Sequence, residues 1–124
     1  MKSDITSRKD IELLVDTFYE KVRNNPELGY IFEDVAEINW GTHLPRMYSF
    51  WASILLGDHS YSGNPMQKHI ALSKLTTITD KEFSMWLTLF RETVDELFSG
   101  ERAKQAKVRA DNIARLMLHN IQTA

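Results

Sequence analysis

The hydrophobic positions of the chain recur at intervals of three and four over four long stretches, which predicts amphipathic helices. The first predicted helix runs from about Ser7 to Asn24, where Asn25 and Pro26 end it. Its apolar face comprises Ile11, Leu14, Val15, Phe18, Tyr19 and Val22. The sequence ELGYIFEDV follows and predicts a brief helical turn that is too short to be stable alone.

A second long helix is predicted from a cap at Asn39 to Leu56, with Gly57 as its terminating residue. Pro45 lies inside this stretch, so either the helix starts near Thr42, with the proline in its first turn, or the proline kinks it. The apolar face comprises Trp40, His43, Leu44, Met47, Phe50, Trp51, Ile54 and Leu55. A histidine therefore lies among large apolar side chains.

The second half of the chain predicts two more long helices. Thr79 and Glu82 have the spacing of a capping box, which starts a helix that reaches about Phe98. Its apolar face comprises Phe83, Trp86, Leu87, Phe90, Val94 and Leu97. The last helix is expected over about Glu101–Ile121, with Ala106, Ala110, Ile113, Ala114, Met117 and Ile121 on one side. No run alternates with a period of two for long enough to predict a strand, so the predicted fold class is all-α.

A short segment, Asn64–Thr76, separates the second and third long helices and carries His69. Of the other histidines, His59 falls in a polar loop and His119 is expected to face solvent, which leaves His43 and His69 as candidate ligands. Imidazole is a common ligand of haem iron, and without cysteine there is no competing thiolate. On local sequence alone, a surface histidine without a special role is the more common interpretation of His69.

Length and composition restrict the class of protein. The chain has 124 residues and a net charge of −2, which predicts a single domain over residues 1–124 without the basic patch of a nucleic-acid or membrane-surface binder. The absence of cysteine excludes disulfides, iron–sulfur clusters and thioether-attached haem. No stretch approaches the ~20 apolar residues of a membrane span, so we expect a cytoplasmic protein.

Three side chains with polar tips lie on the apolar faces of three different long helices: Tyr19, His43 and Trp86. Each needs a hydrogen-bond partner if buried, because an unpaired buried polar group costs ~1–3 kcal/mol. Taken alone, each is more often a core residue that is satisfied locally. The alternative hypothesis is that one bound polar ligand serves all three tips. Separately, the many aromatic and methionine side chains favour a pocket for a large flat apolar ligand.

The ordered blocks FYEKVR, PELGYIF, W-x-x-H-L-P-R-M-Y-x-F-W, Y-x-G-x-P-x-x-x-H and F-x-x-W-L-x-L-F resemble the truncated haemoglobins, and within them the third group. The match covers about residues 8–120. This resemblance implies a globin-like, two-over-two helical sandwich around one haem b (iron protoporphyrin IX). It implies His69 as the proximal iron ligand and Tyr19, His43 and Trp86 as the distal pocket.

The same resemblance suggests further contacts with the haem. These are Phe32, Arg46, Met47, Phe50, Lys68 and Met117. Phe32 would pack against the haem plane, and Met47 and Phe50 would continue the distal wall. Arg46 is suited to pair with a propionate through charge-assisted hydrogen bonds, and Lys68 is a second candidate for that role.

The function implied by the resemblance is binding of O2, NO and CO, and also of cyanide or peroxide, at a pentacoordinate iron. Donors on Tyr19 and Trp86 in a dry pocket would slow O2 release, while His43 would either bind the ligand or gate the pocket. Slow release favours nitric oxide dioxygenase or peroxidase-like chemistry over transport, in a monomer that depends on an external reductase. The competing hypothesis is a cofactor-free helical interaction or regulatory module, in which the aromatic residues are core and His69 is incidental.

Overall fold

The computed structural model describes the backbone of residues 2–30, 39–57 and 80–123, and in the last helix it describes side chains as far as Leu116. These residues form α1 (Arg8–Asn24), α2 (Pro26–Tyr30), α3 (Trp40–Leu56), α4 (Asp80–Leu97) and α5 (Glu101–Thr123). The described part of the chain contains no strand, and the all-α prediction is confirmed. None of the described helices combines the length and apolarity that crossing a membrane requires. The segment around His69 and the capping position Thr79 lie outside the described residues.

The ends of α1 form where the sequence predicts them. Ser7 and Asp10 make a reciprocal capping box, in which each side chain accepts a hydrogen bond from the backbone N–H of the other. At the other end Asn25 is extended, and its side-chain oxygen accepts hydrogen bonds from the N–H groups of Glu27 and Leu28, both at 3.0 Å. Asn25 therefore ends α1 and caps α2 at once.

Helix α3 begins at Trp40 directly after Asn39, the predicted cap residue. A start near Thr42, one of the two alternatives for Pro45, is wrong. The backbone carbonyl of Asn39 accepts the N–H groups of Thr42 and His43 at 3.1 and 2.8 Å, so the first turn is already formed there. Pro45 is thus inside the helix, on its exposed side, where the loss of one hydrogen bond is tolerated because the opposite face packs on the core. Gly57 ends the helix in the left-handed conformation at φ 72°.

The centre of the core is a stack of aromatic rings that joins α1, α3 and α4. The ring of Phe90 is fully buried and is stacked against Trp51 at 4.8 Å and against Trp86 at 5.8 Å, between ring centroids. The edge of Phe18 approaches the same ring at 5.2 Å. The predicted apolar face of α1 is buried in full: Ile11, Leu14, Val15, Phe18, Tyr19 and Val22. Its periodicity therefore predicted correctly which side of α1 faces the core.

The chain before α1 is fastened to the start of α5. The carboxylate of Asp4 accepts hydrogen bonds from the backbone N–H groups of Arg102 and Ala103, at 3.0 and 2.9 Å, and Ile5 beside it is fully buried. Burial alone would raise the pKa of Asp4, but the hydrogen bonds from these two N–H groups and from that of Ile5, together with the charge of Arg102, outweigh it and lower the pKa. Gly100, at φ 142°, leaves room for this carboxylate, since a Cβ there would lie 2.5 Å from Cγ of Asp4.

We expect Asp4→Asn to lower the free energy of unfolding by about 1 kcal/mol near neutral pH. The variant loses the negative charge, and its single amide oxygen can replace only one of the two carboxylate oxygens that accept from Arg102 and Ala103. Since the folded-state pKa of Asp4 lies below the ordinary 3.8, the contribution is complete above that pH and is lost as pH falls through the folded-state pKa. The difference between variant and wild type should therefore shrink on acidification.

Urea unfolding of both proteins at neutral and acidic pH measures this difference. Glu92→Gln, at an exposed carboxylate of α4, is the control for the loss of one negative charge. A stability difference that stays constant down to the acid limit would show that the carboxylate charge of Asp4 is not the stabilising element.

Candidate functional site

Tyr19 of α1 and His43 of α3 meet where these two helices pack together. Their ring centroids are 5.2 Å apart and their planes are inclined at 83°, an edge-to-face contact. The side chain of Tyr19 is only 7% exposed, and Nε2 of His43 is shielded from solvent. The rings of two of the three predicted site residues are therefore in contact, and both Tyr19 and Nε2 of His43 are shielded from solvent there.

Trp86 of α4 is connected to this pair through Phe18. The Phe18 ring contacts Tyr19 at 4.9 Å and Trp86 at 5.4 Å, in both cases edge to face. Trp86 is also stacked on Phe90, so two neighbours fix the plane of its indole. A continuous series of aromatic contacts thus runs from His43 through Tyr19 and Phe18 to Trp86.

The helical geometry of α1 explains how one helix serves both core and site. Successive residues of a helix are turned by about 100°, so Phe18 and Tyr19 project from adjacent sides of a wide apolar face. Phe18 points to the stacked rings around Phe90, whereas Tyr19 points to the first turns of α3. The side chain that carries the phenol is therefore fixed by a core residue next to it in sequence.

The donor chemistry of these three side chains fits the ligand side of a haem. Burial raises the pKa of Tyr19 well above its usual 10, so the phenol keeps its proton at every physiological pH. An indole N–H is a donor only, and an imidazole offers a donor or an acceptor according to its tautomer. Uncharged donors in a dry pocket suit a small ligand that gains partial negative charge on binding.

The remaining predicted site residues differ in their positions. Met47 and Phe50 are partly buried and pack against the core, as residues of a pocket wall would. Arg46 is exposed on α3, which leaves its guanidinium accessible to an anionic group. Outside the described residues or side chains lie Phe32, Lys68, His69 and Met117. Their roles stay predictions.

Trp40 is the neighbour of this site that sequence reasoning did not assign to it. Its ring contacts Tyr19 at 5.5 Å and His43 at 5.6 Å, and the guanidinium carbon of Arg23 lies 4.8 Å from the centre of the Trp40 ring. The sequence spacing could have indicated both neighbours, because Trp40 precedes His43 by three residues and Arg23 follows Tyr19 by four. Each is therefore on the same side of its helix as a predicted site residue.

An open groove of about 740 Å³ runs between α1 and α3 beside these rings. Among the described residues it is lined by Asp16, Tyr19, Glu20, Arg23, Asn24, Trp40, Leu44 and Tyr48. The hydroxyl of Tyr48 donates a hydrogen bond to Asp16 across the groove. Partial burial and then this carboxylate raise the pKa of Tyr48 to about 12. The charged side chains thus lie on the open side of the pair formed by Tyr19 and His43.

Comparison with known proteins assigns this arrangement to a family. The model of the family described as bacterial-like globin matches residues 3–122. The Group 3 truncated hemoglobin ctb of Campylobacter jejuni is 33% identical over 117 residues, which cover 92% of this chain and 90% of that protein. A crystal structure of group III truncated hemoglobin from Campylobacter jejuni has a TM-score of 0.84 at 31% identity, over 98% of this chain and 95% of that one. The chain therefore belongs to the bacterial-like globins, among the group 3 truncated haemoglobins.

Proposed function

We propose that this chain, as a single domain over residues 1–124, binds one haem b with His69 as the proximal ligand and Tyr19, His43 and Trp86 on the distal side. It would bind O2, NO and CO, and release O2 slowly. Membership of a haemoglobin family implies the haem and the binding of diatomic ligands. The residue roles and the rates are the proposal.

The observation that carries this proposal is the buried contact between Tyr19 and His43. When bound, haem supplies an iron that takes diatomic ligands and exchanges electrons with them. The chain's own contribution is to exclude water and to hold uncharged donors near the ligand. A hydrogen bond from Tyr19 would be stronger there than in water, because the surrounding rings provide a low dielectric.

Trp86 supports the proposal as a second donor. Its indole is stacked on Phe90 and meets the edge of Phe18, so little reorganisation is needed before its N–H can donate. Preorganised donors lose less conformational entropy on binding than side chains that must first be ordered. His43, whose ring contacts Tyr19, would either add a third polar contact or control access to the ligand.

Slow release of O2 would favour a reaction of the bound ligand over oxygen transport. Two hydrogen bonds of about 1 kcal/mol each would slow O2 release by roughly 30-fold relative to an apolar pocket. Such retention suits the consumption of nitric oxide or peroxide, whereas an oxygen carrier must release its cargo readily. The electrons for repeated turnover would come from an external reductase.

The assignment of His69 predicts a loss of haem affinity in His69→Gly. Haem-reconstituted wild type should show a strong Soret band, and the variant should lose haem to a competing haem-binding protein much faster. Added imidazole should restore the wild-type spectrum, because it can occupy the space left by the side chain. His59→Gly, in the preceding polar stretch, is the control. A variant that keeps its haem as tightly as wild type would remove His69 from the proximal role, and a colourless wild type would contradict haem binding itself.

The role of Tyr19 predicts that Tyr19→Phe speeds O2 dissociation by about fivefold, since one buried hydrogen bond is lost and packing is kept. Stopped-flow displacement of O2 by CO measures this rate. Tyr30→Phe, at a tyrosine of α2 that is 55% exposed, is the matched control. Because burial raises the pKa of Tyr19, no ionisation of this phenol should alter the wild-type rate between about pH 6 and 9. An unchanged rate in the variant would exclude Tyr19 as the main donor.

The role of Trp86 is separable from its packing by comparison with Trp51, because both indoles are stacked on Phe90. Trp86→Phe should speed O2 dissociation by about three- to tenfold, through loss of the indole N–H. Trp51→Phe makes the same substitution at the other indole that is stacked on Phe90, and it should change the rate far less. Equal effects of the two substitutions would indicate that the core, and not a hydrogen bond, controls ligand release.

A further inference from the structure

Trp40 is in contact with both residues that the proposed function places beside the ligand. The three ring centroids of Tyr19, Trp40 and His43 form a nearly equilateral triangle with sides of 5.2, 5.5 and 5.6 Å. The guanidinium of Arg23 lies over the Trp40 ring at 4.8 Å. Each ring thus restricts the rotation of the other two.

We propose that Trp40 is a positioning residue, which holds the Tyr19 hydroxyl and the His43 imidazole in one orientation, and that Arg23 fixes Trp40 in turn. The inference rests on the proposed function, because it takes these two side chains as the ligand-side donors. It goes further by assigning the control of their orientation to two residues that line the groove between α1 and α3.

The start of α3 explains why such a support is needed. Trp40 is the first residue of the helix, and the side chain of Asn39 before it makes no capping hydrogen bond. Pro45 removes one backbone donor from the next turn. A helix end with a weak cap frays unless other contacts hold it. His43 lies within this end, so its position depends on the contacts of Trp40.

Arg23 contributes from the last turn of α1. Arg23 is one turn beyond Tyr19 on the same side of the helix, and its cation lies over the aromatic face of Trp40. Because Arg23 is exposed, this attraction is weaker than a buried contact. Loss of the Arg23 charge should therefore have the same direction of effect as loss of the Trp40 ring, with a smaller size.

The test uses the haem-loaded ferrous protein and two measurements. The infrared stretching band of bound CO reports the electric field that the distal donors create, and CO displacement gives the O2 dissociation rate. We expect Trp40→Ala to broaden or split the CO band and to speed O2 dissociation by about three- to tenfold, in the direction of Tyr19→Phe. Trp40→Phe should retain most of the wild-type behaviour, and Arg23→Gln should show a smaller change than Trp40→Ala.

Tyr48→Phe is the matched control, because it loosens the same helix pair at the Asp16 hydrogen bond without removing a ring from the triangle. If Trp40→Ala does not fold, Trp40→Leu keeps the apolar bulk, lacks the flat ring and decides the question in the same way. A CO band and an O2 dissociation rate in Trp40→Ala or Trp40→Leu that match wild type, while Tyr19→Phe changes both, would overturn the positioning role and leave the proposed function intact.

Two other results would also overturn the inference. Equal acceleration of ligand association and dissociation with an unchanged CO band would assign Trp40 to a passage for ligands, and not to positioning. If Tyr19→Phe itself changes neither the CO band nor the rate, the distal assignment in the proposed function fails, and the role of Trp40 fails with it. The measurements on Tyr19→Phe thus distinguish failure of the inference from failure of the function.

Discussion

The contacts of Phe90 with Trp51 of α3 and Phe18 of α1 connect α4 to the other two helices, and the arrangement of α1, α3 and α4 depends on them. The Phe90 ring has no solvent exposure, and Phe18 of α1 completes its surroundings from the edge. Aromatic rings in contact bury large areas and favour particular angles, so they fix both the spacing and the rotation of the helices that carry them. A shift of any one of the three helices would separate rings at this point.

The positions of the polar side chains in the candidate site depend on this group of stacked rings. Tyr19 is the neighbour of Phe18 in sequence, and Trp86 is itself one of the stacked rings. His43 lies about two helical turns before Trp51 on α3. The contact between Trp51 and Phe90 therefore also affects the orientation of the turn that carries His43. Core packing and the geometry of the candidate site are therefore not independent in this chain. A core substitution that rotates α3 would also move the imidazole.

The sequence predicted those features that depend on one helix at a time. The buried face of α1 follows from its periodicity, and its boundary at Asn25 follows from the chemistry of asparagine and proline. The cap of α3 at Asn39 was also predicted, but Pro45 left a later start near Thr42 open. The exposed Pro45 is tolerated inside the helix because tertiary contacts hold the other face. The contact of Trp40 with Tyr19 and His43 depends on the relative rotation of two helices. No local pattern encodes that rotation.

Burial also explains why the candidate site has an uncharged polar side chain at Tyr19. A charged side chain in place of Tyr19 would have to leave water for a position that is 7% exposed, at a cost of several kcal/mol on the order of magnitude seen for buried ions. A phenol needs no such compensation, and the burial that stabilises the fold also raises its pKa and keeps its proton in place. The charges of Asp16, Glu20 and Arg23 remain on the groove side, where solvent can reach them. The uncharged phenol of Tyr19 is thus buried at the edge of the core, next to a groove whose charged side chains are exposed.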